Sequence, residues 1–335
     1  SQRKIGESLL HDQITNFDKT VYWYTLAAQQ EDLEAQLALA QIYREGKGMN
    51  KNIKYAIYWL EQAAQQDNIE AITALAKIYE QGLSVNRNYA KAFVWYEKLA
   101  SQEIEIAQYK LAEYYRQGLG VERDIGKAAA LYIALEEKWT TLSTYNADIK
   151  RTTLPIHYYT LGQAYELGLG VVQDDVQAEY FYEKSAKQGD KYGELKLGQI
   201  TLEQSGFLLA KPWLESAEEK GLIEAQNTLG NLYLKGEKTL KNELKAIKWF
   251  KMATDRGDAE AQHMMGEIFF KGNLDYNIPQ EYSVARKWFE KAAAQDYELA
   301  KKRLGDIYAN GWGVEKDDAT AGYWYSQVDS DLLAL

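Results

Sequence analysis

The 335-residue chain contains no cysteine and only three prolines. Without cysteine the chain has no disulfides, no thiolate metal ligands and no cysteine nucleophile. Few prolines suit a protein made of many helices, because an internal proline removes a backbone hydrogen bond and clashes with the preceding turn. No segment approaches the ~20 apolar residues of a membrane-spanning helix. The sequence therefore excludes thiol chemistry and predicts no transmembrane segment.

Basic residues are in the minority, with 39 Lys and Arg against 49 Asp and Glu, a formal net charge of −10. No basic run is present, and an acidic chain repels the phosphate backbone of nucleic acids. The three histidines, His11, His157 and His263, have no second histidine at metal-ligand spacing. We therefore expect no nucleic-acid partner, no metal site and no cofactor. His157 replaces a small repeat residue, so we expect it to have a packing role.

Aromatic residues, by contrast, are plentiful, with 26 Tyr and 9 Trp. A Leu or Met followed by Ala or Gly occurs eight times in a recurring pattern. A large side chain stands three positions after the Ala or Gly, except in the fifth copy, which has threonine there. We call these eight the ring positions: Tyr43, Tyr79, Tyr115, Tyr165, Thr201, Tyr233, Phe269 and Tyr308. Their successive spacings are 36, 36, 50, 36, 32, 36 and 39 residues. A nearly fixed period in this range predicts stacked repeats, each of which buries its apolar face against its neighbours.

A single repeat, residues 33–68, shows how the unit is built. Leu39 and Tyr43 fall on one face of a first helix. Gly46 ends that helix, because glycine tolerates the left-handed conformation of a helix C-terminus. Asn52, nine residues after Tyr43, is placed to cap a second helix. The apolar stripe of that second helix consists of Ala56, Trp59, Leu60, Ala63 and Ala64.

The same offsets recur along the chain, with tight turns such as Gly118-Leu119-Gly120-Val121 and Gly311-Trp312-Gly313-Val314. These glycines follow helices in register, so we interpret them as helix C-caps rather than phosphate loops. The pattern Ala-x3-Leu-Gly-x2-Tyr-x2-Gly-x-Gly-Val-x2-Asp-x3-Ala-x2-Trp-Tyr-x2-Ala-Ala resembles the Sel1-like repeat, a relative of the tetratricopeptide repeat. The resemblance covers roughly residues 16 to 328.

The resemblance implies an all-α fold, a right-handed α/α superhelical solenoid of helix–turn–helix repeats. It also implies a bacterial adaptor that assembles complexes, often in the envelope, in virulence or in protein quality control. It implies no shared catalytic residue. The expected organisation is a degenerate N-terminal repeat or cap at 1–32, repeats at 33–138, an insertion at 139–153, repeats at 154–328 and a tail at 329–335.

The insertion at 139–153 lengthens one ring spacing to 50 residues. Two interpretations remain open from the sequence. The segment is either a longer helix or solvated loop, or a binding loop, since loops held by a rigid scaffold often have functional roles.

The binding surface is expected on the first helices, by analogy with tetratricopeptide repeats. There, residues six before, two before and one after the ring position face the concave groove. In the later units this rule selects Leu234, His263, Glu267 and Phe270. The partner-binding set that we predict is Tyr109, Glu113, Arg116, Tyr159, Gln163, Tyr192, Leu195, Gln199, Asn227 and Asn231. Of these, Tyr192 stands three residues before Leu195, the position that the rule selects. Tyrosine offers large, fairly rigid contact area with a polar tip, which suits recognition.

Catalysis is not indicated, because adjacent carboxylates on a helix point apart and no serine has a histidine at a recognisable offset. We therefore predict a non-catalytic protein–protein interaction scaffold that binds a partner protein or peptide in its groove. The alternative is a protein that binds or modifies envelope glycan or peptidoglycan, for which Trp139 and Trp312 are the freer tryptophans. The first residue is serine, which fits removal of a signal peptide or anchor. The bacterial envelope, periplasmic or secreted, and the cytoplasm both stay open as locations.

Overall fold

The structure is a computed structural model that describes residues 2–11, 17–46, 49–141, 147–236 and 241–333. Within these ranges it contains nineteen α-helices, one 3₁₀ helix and no β-strand. The predicted all-α fold is thus confirmed. None of the helices in these ranges has both the length and the apolar character that crossing a membrane requires.

The helices follow one another in chain order with short connections. Their bounds are α1 Gln2–His11, α2 Phe17–Ala28, α3 Leu33–Glu45, α4 Ile53–Gln65, α5 Ile69–Gln81, α6 Tyr89–Ala100, α7 Glu105–Gln117, α8 Ile125–Thr141, α9 Ala147–Leu167, α10 Asp175–Lys187, α11 Lys191–Ser205, α12 Phe207–Glu219, α13 Ile223–Lys235, α14 Glu243–Thr254, α15 Ala259–Lys271, α16 Tyr282–Ala293, α17 Glu298–Asn310, α18 Asp318–Tyr325 and α19 Ser330–Leu333. The 3₁₀ helix, Leu274–Tyr276, lies between α15 and α16.

The chain divides into two compact units. Unit 1 comprises residues 1–151 and 160–178, and unit 2 comprises 152–159 and 179–335. In unit 1, α3 packs on α4, α5 on α6 and α7 on α8, and each pair packs on the next. In unit 2, α11 packs on α12, α13 on α14, α15 on α16 and α17 on α18 in the same way. Each unit is therefore a stack of helix–turn–helix repeats, as the sequence period predicts.

One residue closes each turn between the two helices of a repeat. It lies nine positions after the ring position, except in the expanded repeat of Phe269 and the shortened repeat of Thr201. The backbone N–H of Asn52 donates to the carbonyl oxygen of Tyr43 at 2.8 Å. The Asn52 side chain then accepts a hydrogen bond from the backbone N–H of Tyr55 at 3.3 Å, which caps α4. The predicted cap is confirmed, and the backbone bond recurs from Asn88, Asp124, Asp174, Asn242 and Asp317 to Tyr79, Tyr115, Tyr165, Tyr233 and Tyr308.

The two glycines of each tight turn have different roles. Gly118 ends α7 in the left-handed conformation with φ 69°, as predicted for a C-cap. Gly120, with φ 67°, lies against the backbone of Tyr89 and Ala90 at the start of α6, where a β-carbon would collide. The second glycine therefore allows one repeat to approach the preceding one, a role that the C-cap interpretation missed.

The helices also approach each other differently in the two units. In unit 2, Phe289 of α16 lies on Gly266 of α15, and a β-carbon at Gly266 would lie 2.5 Å from that ring. Phe250 lies on Gly230 in the same way. In α3, α5 and α7 of unit 1 the small residue is alanine, at Ala40, Ala76 and Ala112. In the repeats of α13 and α15, the phenylalanine ring of the second helix thus packs on a glycine that has no methyl group.

Two irregular segments interrupt the period. In the short repeat, Gly206 alone joins α11 to α12, and its N–H donates to the carbonyl oxygen of Thr201 at 3.1 Å. Around the predicted insertion, α8 extends to Thr141 and α9 begins at Ala147, so residues 139–141 and 147–153 are helical. Residues 142–146 and the Trp139 side chain lie outside the described residues.

Candidate functional site

The predicted groove residues lie on the first helices in three different environments: buried, ion-paired or exposed. In α7 of unit 1, Tyr109 is buried, and its ring centroid lies 6.0 Å from that of Tyr132 on α8. Tyr109 therefore belongs largely to the packing between helices and not to an open groove surface, which corrects the expectation for this residue.

Glu113 and Arg116 of α7 are bound to each other. Arg116 donates two hydrogen bonds to the Glu113 carboxylate, at 3.0 and 2.7 Å. Gln117 donates to the same carboxylate at 2.7 Å, and the Tyr132 hydroxyl of α8 also donates to it. Burial alone raises the pKa of Glu113, but the hydrogen bonds from Arg116 and Tyr132 and the Arg116 charge outweigh it, so the pKa lies below its usual value. This carboxylate is ionised and internally satisfied.

Gln163 lies at the edge of a separate recess of unit 1. The recess, about 490 Å³ in volume, lies between the turn that begins α8 and the end of α9. Besides Gln163 its lining includes Arg123, Asp124, Leu167 and Leu169.

Tyr159 and Tyr192 form an aromatic cluster in unit 2. The Tyr159 ring centroid lies 5.5 Å from that of Tyr192 and 5.7 Å from that of Tyr182. Lys191 lies 5.2 Å from the Tyr192 ring centroid, within the range of a cation–π interaction. Tyr192 is exposed and Tyr159 is half-buried, so the structure brings these two predicted residues together at the surface of unit 2.

Leu195 and Gln199 follow on α11. Leu195 is only 3% exposed and belongs to the core cluster of unit 2 with Phe207 and Leu214. Its predicted groove position is wrong. The helix α12, which a single residue joins to α11, packs directly on α11 and covers this side chain. Gln199 is half-buried.

Asn227 and Asn231 of α13 hold neighbouring repeats together. The buried Asn227 amide donates to Asp258 at 2.9 Å and to Glu260 at 3.3 Å. Asn231 donates to the other oxygen of Glu260 at 3.3 Å. These amides are engaged by carboxylates of the next repeat and so contribute to the packing between repeats.

A further concavity lies on the first helices of unit 2. It is a cavity of about 770 Å³ on the first helices of three successive repeats, within the size range of small-molecule and side-chain pockets. Its lining includes His263, Glu267, Met264, Ile268 and Lys271 of α15, Leu299, Lys302, Arg303 and Asp306 of α17, Leu234 and Lys235 of α13, and Lys241, Glu243 and Gly272 nearby.

His263 is one of the buried residues of this lining. Its side chain is 8% exposed, and its ring centroid lies 5.4 Å from Phe289 and 5.3 Å from Tyr297. Its Nδ1 atom is buried without a hydrogen-bond partner among the described residues. Burial lowers the pKa of His263 to about 4 and the Arg303 and Lys271 charges add to this, although the Glu267 charge opposes it. The imidazole is therefore neutral at pH 7.

Glu267 forms one wall of the cavity with cations from two repeats. Arg303 of α17 donates to it at 2.5 Å, and Lys271 lies at 3.2 Å. Arg303 also lies 3.3 Å from Asp306, which accepts a hydrogen bond from the Tyr325 hydroxyl at 2.8 Å. Burial raises the pKa of Glu267, but the hydrogen bond and charge of Arg303 outweigh it, so the pKa is lowered overall.

Lys302 and Asp306 are cavity residues that the sequence analysis missed. Both stand at the selected offsets, six and two residues before Tyr308, so the rule applied to the last repeat finds them. Met264 and Arg303 lie at other offsets and had no such signal.

Two further kinds of site considered from the sequence are metal sites and aromatic platforms for glycans. Across the described ranges, no group of three or more His, Asp or Glu side chains is arranged to hold a metal ion. Trp312, a candidate for glycan stacking, packs edge-on against Phe270 with centroids 5.1 Å apart and stacks on Tyr282 at 6.3 Å.

Comparison with known proteins identifies the repeat. The sequence model of the Sel1 repeat matches eight segments, residues 1–32, 33–68, 69–103, 106–134, 158–190, 223–258, 259–297 and 299–327. The short repeat at α11 and α12 falls between matched segments. Among curated proteins, none matches the chain significantly.

Two solved structures share the fold. The first is c5321, a protective antigen present in uropathogenic Escherichia coli strains and displaying an SLR fold. It is 29% identical, with a TM-score of 0.64, and the match covers 97% of this chain and 67% of that one. The second is a Sel1 repeat protein from Oxalobacter formigenes, 24% identical, with a TM-score of 0.62 and coverage of 93% and 87%. Both similarities support the repeat solenoid.

Proposed function

This chain belongs to the Sel1 repeat family, and from that premise we propose that it is a non-catalytic scaffold that binds a segment of a partner protein along the first helices of unit 2. The observation that supports this proposal most directly is the cavity, which is built by the first helices of three successive repeats. A ligand that fills it contacts several repeats at once. Sel1 repeat proteins commonly serve as interaction scaffolds and are typically non-catalytic.

The acidic groups on the first helices favour binding over catalysis. A general acid or base works best with a pKa near the operating pH. The pKa values of Glu113 and Glu267 are instead lowered by arginine partners, and Asp306 is engaged by Arg303 and Tyr325. Each of these carboxylates is held by ion pairs or hydrogen bonds with neighbouring side chains.

Two exposed apolar side chains of the first helices allow a test. Tyr192 of α11 is 37% exposed and Leu299 of α17 is 42% exposed. The matched controls on second helices are Tyr58 of α4, 49% exposed, and Leu244 of α14, 56% exposed. Exposed positions of this kind tolerate truncation with little change in stability.

The experiment is affinity capture from a bacterial extract with three proteins: the intact chain, the double variant Tyr192→Ala and Leu299→Ala, and the control Tyr58→Ala and Leu244→Ala. We expect the intact chain and the control to retain the same partner and the first-helix variant to lose it, with equal helical circular dichroism in all three. Equal capture by all three, or loss only in the control, would contradict the proposal.

We further propose that the protein acts in the bacterial envelope. The supporting observation is its similarity to c5321, a protective antigen. Fractionation of cells that express the native gene tests this, with the protein expected in the envelope or secreted fractions. Recovery in the cytoplasm alone would reject the location and leave the scaffold proposal intact.

A further inference from the structure

The cavity of unit 2 differs in charge from the protein as a whole. Its lining includes five cationic side chains and three carboxylates, a net charge of +2, whereas the chain has a formal net charge of −10. A basic concavity on an acidic protein attracts anionic ligands, because charges of opposite sign attract.

The carboxylates of the lining are already paired. Glu267 binds Arg303 and Lys271. Glu243 binds Lys241 at 2.9 Å and accepts a hydrogen bond from Asn273, also at 2.9 Å. The remaining carboxylate, that of Asp306, accepts from Tyr325 and lies beside Arg303.

Lys302 keeps donor capacity for a ligand. It donates one hydrogen bond to the carbonyl oxygen of Leu332 at 2.8 Å, and an ammonium group has three donors. Lys302 is half-buried on α17, so its charge is less screened than that of a fully exposed lysine.

The cavity lining also has an apolar part. Met264 and Ile268 of α15 and Leu299 of α17 line it, together with Leu234. No Trp, Tyr or Phe is among the described residues that line it, so a sugar ring finds no aromatic platform there. An aliphatic side chain fits this lining better, and this favours a peptide over a glycan.

His263, which lines the cavity, has an unsatisfied polar atom. The side chain is more than nine-tenths buried, and Nδ1 has no partner among the described residues. A buried polar atom without a partner is unfavourable, and a ligand that supplies the missing hydrogen bond removes that cost. A peptide backbone has both a donor and an acceptor for a neutral imidazole.

We propose that this cavity binds an acidic peptide segment of the partner, with an aliphatic side chain against Met264, Ile268 and Leu299. The backbone of the segment hydrogen-bonds His263, and its flanking carboxylates pair with Lys302 and the other cations. This inference rests on the proposed scaffold function and specifies the chemistry of its ligand.

The test uses the full chain and two fluorescein-labelled octapeptides, one of alternating glutamate and leucine and one of alternating glutamine and leucine. Fluorescence anisotropy is measured at low and high salt. We expect the acidic peptide to bind roughly tenfold more tightly than its amide counterpart, a difference of about one logarithmic unit in Kd. That preference should shrink as salt screens the charges.

Variants locate the site. Lys302→Glu is expected to weaken binding of the acidic peptide roughly tenfold, while Lys287→Glu, an exposed charge change on the second helix α16, has little effect. His263→Leu is expected to weaken binding of both peptides without changing the salt dependence. If His263→Leu does not fold, the lysine pair still decides the question.

Three results would overturn the inference: equal affinity for the two peptides, no binding of either, or binding of an oligogalacturonate in place of the peptides. In each case, loss of partner capture by the Tyr192→Ala and Leu299→Ala variant would still support the scaffold function. Conversely, Lys302→Glu could weaken binding of the acidic peptide while the Tyr192→Ala and Leu299→Ala variant still captures the partner. That result would count against the scaffold function alone.

Discussion

The carboxylates of Glu113 in unit 1 and Glu267 in unit 2 stand at the same repeat position, two residues before the ring position. Glu113 is satisfied within its own repeat, by Arg116 and Gln117 of the same helix and by Tyr132 of the next helix. Glu267 is satisfied by Lys271 of its own helix and by Arg303 of the following repeat.

Two residues around these carboxylates differ, because Tyr132 and Arg116 in unit 1 correspond to Phe289 and Phe270 in unit 2. Tyr132 provides a hydroxyl to Glu113, whereas Phe289 has the equivalent place in unit 2 and has no hydroxyl. Glu267 therefore takes its second partner from the next repeat, and the cations gathered there line the cavity. The repeat with tyrosine and arginine at these places pairs its carboxylate within the repeat, whereas the repeat with two phenylalanines pairs it with the next repeat.

The largest effect is expected where helix packing differs between the units. Gly266→Ala should lower the free energy of unfolding by about 3 kcal/mol, because the new methyl group meets the Phe289 ring. Adding Phe289→Leu should recover part of this loss, since unit 1 combines alanine with Leu60 at the corresponding positions. The matched change Ala112→Gly should cost about 1 kcal/mol. Urea unfolding measures each value, and an unchanged stability of Gly266→Ala would refute the packing argument.

An intermediate effect is expected from His263. Its pKa is about 4 in the folded protein and 6.5 as a model value, so the unfolded chain binds more protons between these values. Stability therefore falls as the pH decreases through this window, by about 2 kcal/mol at pH 5. Glu113 has a lowered pKa, so its contribution is lost only below its unfolded value of 4.5. Comparing unfolding of the intact chain and His263→Leu at pH 7 and pH 5 isolates the effect, and parallel pH profiles would contradict it.

A smaller effect is expected from the hydroxyl that distinguishes the two carboxylates. Tyr132→Phe removes the hydrogen bond to Glu113 and should lower the free energy of unfolding by about 1.5 kcal/mol, as for a bond to a charged group. Tyr115→Phe, a half-buried tyrosine on α7, is the control and should change stability by less than about 0.5 kcal/mol. Equal losses in the two variants would show that the hydroxyl has no special role.

The repeat unit was predictable from the sequence because its signals are local. Asn52 and Gly118 act where helix capping requires them, and the spacing of ring positions follows from the length of two helices and a turn. The role of the second turn glycine, Gly120, was not predicted, because it depends on contact with the backbone of the preceding repeat.

The groove residues were less predictable. Tyr159 and Tyr192 meet at the surface of unit 2, while Leu195 is buried. An offset within a helix gives the direction of a side chain, but the neighbouring helix decides whether that direction is covered. In the short repeat, the single-residue connection at Gly206 places α12 over Leu195.

The sequence by itself determined the all-α repeat architecture, its caps and the family, since these depend on periodic local signals. Only the tertiary structure decided which carboxylates are internally paired and where a cavity opens. Glu113 and Glu267 are the same residue type at the same repeat position. They differ because the groups that satisfy them, Tyr132 and Arg303, are 19 and 36 residues away in the chain and become neighbours only when the helices pack.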